Sequence, residues 1–298
     1  MASFRSERNM PSVQEAKEKL SKWRDETARC SADIVELGEF LIDSHPNKLG
    51  DEAWLIYEQV CIAALDTGNI DLATHCIQCL SQQFPQSLRV KRLQGMRFEA
   101  LARYDEAEIV YETILESDAS NALARKRRVA IFKAQDRISD AIKELNKYLE
   151  KFMGDHEAWM ELSDLYVSEQ NYSKAAFCFE ELIMSNPHNH LYHQKYAEIK
   201  YTQGGTEALE IARKYFAQAV KLNSNNIRAL YGMFVASSHL ASSSKTVNSK
   251  SKRENIKYAA WAAQQLAHKY KHAKAKETEG QMPYLEKMLD TLQITAGN

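Results

Sequence analysis

Residues 159–187 read Trp159-x2-Leu162-Ser163-x2-Tyr166, then Ala175-x3-Phe179, then Pro187. Apolar residues three and four apart place one face of each of two helices toward a common core, and the proline ends the pair. Working outward, the alanine recurs at 73, 107, 141 and 175, each 34 residues after the last. Four residues on stand Ile77, Tyr111, Leu145 and Phe179, and three further Leu80, Ile114, Tyr148 and Leu182. Pro85 and Pro187 lie three such periods apart. Small residues (Gly95, Ser163 and Ala197 on first helices, the alanines on second helices) let two helices approach closely, and bulky ones fill the space between them. Turns are expected at Thr67-Gly68-Asn69, Ala102-Arg103, Gln135-Asp136 and Gln170-Asn171.

This pattern resembles the tetratricopeptide repeat (TPR) family, with Ser163 where a small glycine is usual. The fold expected is all-α: a TPR solenoid, a right-handed superhelix of antiparallel helix pairs with helical caps at both ends. Units are read at 54–87, 88–121, 122–155, 156–189 and 190–226. The last fits only with three inserted residues near Gly204-Gly205, and in two units Ala119 and Met153 stand where proline is expected. Residues 1–53 form an N-terminal cap, with helices Val13–Cys30 and Ala32–Asp43 stopped by His45-Pro46-Asn47, covering the terminal apolar face. Residues 227–298 hold a degenerate unit, a flexible Ser/Lys-rich loop at 241–254, a helix over Asn255–Lys276 and a last helix from Tyr284 to Leu292.

Composition agrees. Of 298 residues only 10 are Gly and 5 Pro, too few for the turns of an all-β or disordered chain. Lys+Arg 39 against Asp+Glu 40 gives net −1, so no bulk charge draws the chain to nucleic acid. No apolar run approaches the roughly 18 residues of a membrane span, and residues 1–30 carry no secretory pattern. The five cysteines (30, 61, 76, 79 and 178) read as reduced thiols.

No catalytic, cofactor-binding or metal-ligating set is expected, and the chain is read as not an enzyme. Cys76-x2-Cys79 has no partner pair for zinc. His188, His190 and His193 straddle the Pro187 turn with no ligand at suitable spacing. Gly204-Gly205 lacks the strand before it and the Lys-Ser/Thr after it that a phosphate loop needs. Segment 241–276 has nine Lys/Arg and one acid, Glu254, which attracts an anionic surface or simply solvates the chain.

The TPR resemblance implies binding instead. In that family, positions 2, 5, 9, 12 and 13 of a unit tend to line the inner surface. Here they include Arg89, Arg92, Lys126 and Lys133, the partner-binding residues expected for an acidic or carbonyl-rich partner. The family's carboxylate clamp is not matched. Its positions hold Arg92, Met96, Arg127, Glu157 and Glu161, or Glu58 and Ile62 in the preceding register, so a co-chaperone of that type is disfavoured.

Longer stretches carry a narrower resemblance: Asp51–Val60 (DEAWLIYEQV), Arg89–Ala100 (RVKRLQGMRFEA), Lys174–Cys178, Asn186–Tyr192 (NPHNHLY), Tyr201–Gly205 and Thr291–Thr295. They resemble the family of subunit 2 of the endoplasmic reticulum membrane protein complex. The resemblance implies a soluble scaffold on the cytoplasmic face of that membrane. Its partners would be the other subunits, both membrane-embedded ones and soluble subunit 8 or 9, with membrane association indirect through them. It also implies support for inserting tail-anchored and multi-pass membrane proteins. A free cytosolic TPR adaptor or co-chaperone, or a regulatory subunit of a soluble enzyme, stands as the alternative.

Overall fold

The computed structural model describes residues 11–242, 249–272 and 287. Among them every regular element is helical. The helices are α1 (Val13–Asp25), α2 (Ser31–Ser44), α3 (Ala53–Thr67), α4 (Ile70–Gln83), α5 (Leu88–Ala100), α6 (Tyr104–Ser117) and α7 (Ala122–Ala134). There follow α8 (Ile138–Leu149), α9 (His156–Ser168), α10 (Tyr172–Ser185), α11 (His190–Gln203), α12 (Thr206–Leu222), α13 (Ile227–Ser242) and α14 (Ser249–His272). Two short 3₁₀ turns lie between α2 and α3. The chain divides into two compact units, one up to Glu144 and one from Leu145, with the boundary inside α8.

The 34-residue period is written into the backbone as well as the side chains. Gly68, Ala102, Asp136, Gln170 and Gly204 all adopt positive φ, between +56° and +76°. Each sits just past a first helix. At the first four, the next residue's N–H bonds back to a carbonyl five residues earlier: Asn69 to Ala64, Arg103 to Phe98, Arg137 to Phe132 and Asn171 to Tyr166, all at 2.8–2.9 Å. This left-handed closure satisfies carbonyls that the helix end leaves open. It turns the chain sharply enough that the second helix folds back on the first. Starts are periodic too. Asn121, Asp155 and Asn189 precede α7, α9 and α11, and each accepts from a backbone N–H of the first turn. Such a cap is worth about 1 kcal/mol.

The core follows from that register. Ala73, Ala107, Ala141 and Ala175 have no exposed surface, and Leu80, Ile114, Tyr148 and Leu182 are buried beside them. Burying one such leucine stabilises the fold by roughly 1.5–3 kcal/mol. The eighth residue of each repeat tunes the approach. Gly95 is so close to Tyr111 that a methyl there would lie 2.6 Å from the ring. The Ser163 hydroxyl and the Cys61 thiol occupy the same position and donate to the carbonyls of Ala175 and Ala73.

Two expected boundaries are corrected, and the expected insertion is located. First, α1 stops at Asp25, not Cys30, because Thr27 takes φ +51° and Ala28 N–H closes back to the Trp23 carbonyl at 2.8 Å. Second, the loop expected over 241–254 is helical at both of its ends. Helix α13 runs through Ser242 and α14 already starts at Ser249, where Lys and Arg have good helix propensity and Asn255 Nδ2 donates to the Ser251 carbonyl at 3.0 Å. Third, the three extra residues near Gly204-Gly205 lengthen α12. It starts at Thr206, 34 residues after Tyr172 begins α10, and has 17 residues against 14. The expected last helix, Tyr284 to Leu292, lies outside the described residues except Lys287, and so do residues 273–276.

A candidate docking surface

A groove of about 640 Å³ opens in the first unit, lined by residues of α1, α2, α3, α5 and α7 and of the turn between α1 and α2. Its apolar lining includes Trp23, Ile34, Ile62 and Met96. Ile62 and Met96 come from the first helices α3 and α5, whose second helices turn their apolar faces to the alanine core, while Trp23 and Ile34 come from α1 and α2. Two ion pairs flank the apolar strip. Arg29 donates to both carboxylate oxygens of Asp66 at 2.9 and 2.7 Å, and the Ser31 hydroxyl donates to Asp66 at 2.9 Å. The Arg29 hydrogen bonds, joined by the Ser31 bonds and the Arg29 charge, outweigh burial and hold the Asp66 carboxyl below the usual carboxylate range. On the other side Arg127 donates to Glu99 at 3.0 and 2.7 Å, and the buried Tyr111 hydroxyl donates to the same Glu99. Burial pulls the Arg127 guanidinium down. The neighbouring Glu99 and Tyr111 more than offset this, so it stays above its ordinary value.

The four residues expected to bind partners lie on α5 and α7. Arg89 and Arg92 converge on Glu58 of α3. Arg89 Nε donates to Glu58 Oε1 at 2.6 Å, and the Arg92 guanidinium lies 3.7 Å from the same oxygen. Arg89 is 63% exposed, whereas Arg92 is 20% exposed. Burial lowers the Arg92 guanidinium, with Glu58 opposing. Lys126 is half-buried and Lys133 exposed. None of the four lines the groove; its charged residues are Arg24, Arg29, Asp66, Glu99 and Arg127.

The further arginines of α7, Arg125, Arg127 and Arg128, are paired with carboxylates of neighbouring helices. Besides Arg127, Arg128 lies 3.6 Å from both Glu108 and Glu144, and Arg125 lies 3.8 Å from Glu144. What the groove presents is therefore an apolar strip between fixed ion pairs, suited to an extended or helical segment with its own polar flanks.

The remaining polar candidates separate in space. The His193 Nε2 lies 2.8 Å from the Pro187 carbonyl, and its ring stacks on Tyr215. His190 contacts Asn223 and Asn226, whose side-chain oxygens accept from the backbone of Asn225 and Ala229. His188 is exposed. Cys61, Cys76 and Cys178 are buried, and burial pushes the Cys61 and Cys178 thiols up to about 12. Thiols held that high stay protonated and are poor nucleophiles. Among the described residues no three His, Cys, Asp or Glu are grouped to hold a metal ion, and no helix is long and apolar enough to cross a membrane.

A family profile described as the EMC2 TPR-like repeat domain matches residues 56–213. The "ER membrane protein complex subunit 2-A" of Xenopus laevis is 55% identical over 284 residues, 95% of either chain. The chain belongs to the ER membrane protein complex subunit 2 family. A more distant member, from Dictyostelium discoideum, is 36% identical over 193 residues, covering 64% of this chain and 60% of its own. The crystal structure of the C-terminal part of a TPR repeat-containing protein from Cytophaga hutchinsonii superposes with a TM-score of 0.59, over 89% of this chain and 97% of that one. At 14% identity that likeness shows the fold alone. Profile, relatives and fold agree: this is a TPR fold of a scaffold-type family.

Proposed function

We propose that the chain is a non-catalytic scaffold subunit of the endoplasmic reticulum membrane protein complex. It sits peripherally on the cytoplasmic face and docks cytosolic parts of other subunits, membrane-embedded ones and soluble subunit 8 or 9. In this way it supports insertion of tail-anchored and multi-pass membrane proteins. Family membership supports the complex. The observation that carries the docking is the apolar strip of Trp23, Ile62 and Met96 held open between the Arg29–Asp66 and Arg127–Glu99 pairs. Arg89, Arg92, Lys126 and Lys133 are proposed as its neighbouring partner contacts.

The test must respect the ion pairs. A glutamate at Arg89 or Arg92 would face Glu58 and strain the fold. Lys126 and Lys133 also have partners within the chain, so Lys126→Gln with Lys133→Gln, and separately Met96→Asp, are the variants to use, each checked for an unchanged melting temperature. Co-purification of the other subunits should fall several-fold in both. Full assembly with both variants would move the docking surface elsewhere and refute this site.

A further inference from the structure

The second unit holds a separate and differently charged groove. It opens between α12, α13 and α14 with a volume of about 970 Å³. Its floor includes Val220 and Met233, both buried, and α14 lifts Tyr258 and Trp261 along the rim, 38% and 43% exposed. Among the described residues its charged lining is Lys221, Lys257 and Lys269, with His268 beside them and no carboxylate. Arg213 stacks over the Tyr258 ring at 4.7 Å and adds a further positive charge. The first unit's groove differs, because there Asp66 and Glu99 balance the arginines. Lys269 is held by a 2.9 Å bond to Asn225, so its ammonium is positioned and not merely solvated.

We propose that this groove binds an acidic amphipathic helix from a partner protein. The partner's apolar stripe lies on Val220, Met233 and Trp261, and its carboxylates face Lys221, Lys257 and Lys269. Charge complementarity selects the occupant: an apolar floor with cations only at its edge matches apolar residues flanked by Asp and Glu. Size agrees, since a helix about 10 Å across fills this volume with roughly two turns. A bilayer surface is the weaker fit. It is nearly flat on this scale and cannot reach buried Val220 and Met233 at the bottom of a recess. The proposal concerns the second unit's groove alone and stands whether or not the first unit docks its partners as proposed above.

The test uses the full chain and two fluorescein-labelled 18-residue helical peptides with identical leucine positions, one with glutamate and one with lysine on the polar face. Fluorescence anisotropy should show the acidic peptide binding at least tenfold more tightly than the basic one. Lys221→Glu with Lys257→Glu should weaken it at least tenfold, and Trp261→Ala should weaken it without changing its preference for the acidic peptide. Circular dichroism melts establish that the variants fold. Three results overturn the proposal: equal affinity for both peptides, no binding of either, or affinity untouched by the paired lysine reversal. Co-sedimentation with phosphatidylserine vesicles, lost in the lysine variant while the peptides fail to bind, would assign the groove to a lipid surface instead. A dimer in light scattering that dissociates on Trp261→Ala, again without peptide binding, would assign it to a second copy.

Discussion

Replacing Gly95 with alanine inserts one methyl group where none fits. Its Cβ would lie 2.6 Å from Tyr111 Cζ and 2.7 Å from Cε1 and Oη, so the ring must retreat by about 1 Å to reach ordinary contact. Tyr111 is fully buried and has nowhere to go. Its hydroxyl also donates to Glu99, which in turn anchors Arg127 at the groove edge. Overpacking of this kind costs about 1–3 kcal/mol. Weakening a hydrogen bond to a charged group adds about 1.5–3 kcal/mol. Against this, alanine is favoured over glycine inside a helix by about 1 kcal/mol. The packing terms win, and Gly95→Ala should destabilise by about 1.5–5 kcal/mol. The decisive comparison is the same substitution made in Tyr111→Leu. The next repeat carries Val129 and Leu145 at the two corresponding positions, which shows that the repeat accepts a larger first residue when the second is smaller. In that background the clash and the hydrogen bond are both gone. Gly95→Ala should then be neutral or stabilising by up to about 1 kcal/mol. Urea unfolding followed at 222 nm on the four proteins gives the cycle. Equal destabilisation in both backgrounds would refute the argument that Gly95 exists to admit Tyr111.

Further outcomes follow from the same geometry. Ala102→Gly and Gln170→Gly relieve non-glycine residues at φ +56° and +57°, and each should stabilise by about 0.5–1 kcal/mol in urea unfolding. With a thiol reagent on the native protein, Cys30 and Cys79 should react quickly while Cys61, Cys76 and Cys178 wait for unfolding; mass spectrometry of labelled peptides reads this directly. Alkaline pH should weaken the fold. Cys61 and Cys178 titrate at about 12 when folded against 9.0 for an unperturbed thiol, so their contribution is complete below pH 9 and is lost as pH rises from there toward 12. By pH 10 each has given up about 1.4 kcal/mol, and the buried Tyr111, also raised, adds to the loss above pH 10. Melting temperature should therefore be level from pH 7 to 8.5 and fall steeply beyond 9.5.

Side-chain periodicity made the helix pairs legible because the alanine and its bulky partners must repeat wherever helices approach at one distance. The left-handed residues were less legible. Only Gly68 and Gly204 announce themselves, whereas Ala102, Asp136 and Gln170 take the same conformation because tertiary packing overrides their preference. Thr27 ended α1 early for the same reason. The start of α14 was hidden by serine-rich composition, although lysine and arginine favour a helix once one is packed. The basic run on α5 and α7 was visible as charge but not as chemistry. Its counter-charges Glu58, Glu108 and Glu144 come from other helices that meet α5 and α7 only after folding, and Glu99 of α5 reaches Arg127 of α7 only then. The aromatic and apolar lining of the first groove was equally hidden. Trp23 and Ile62 lie 39 residues apart and share no motif.

The scaffold reading is tested most directly by isolating the tagged protein from cells, with carbonate extraction and detergent co-purification side by side. The account predicts that it sediments with endoplasmic reticulum membranes, is released by carbonate, and in detergent brings down several multi-pass proteins at constant ratio. Recovery in the cytosol, alone or with a soluble enzyme, would contradict it.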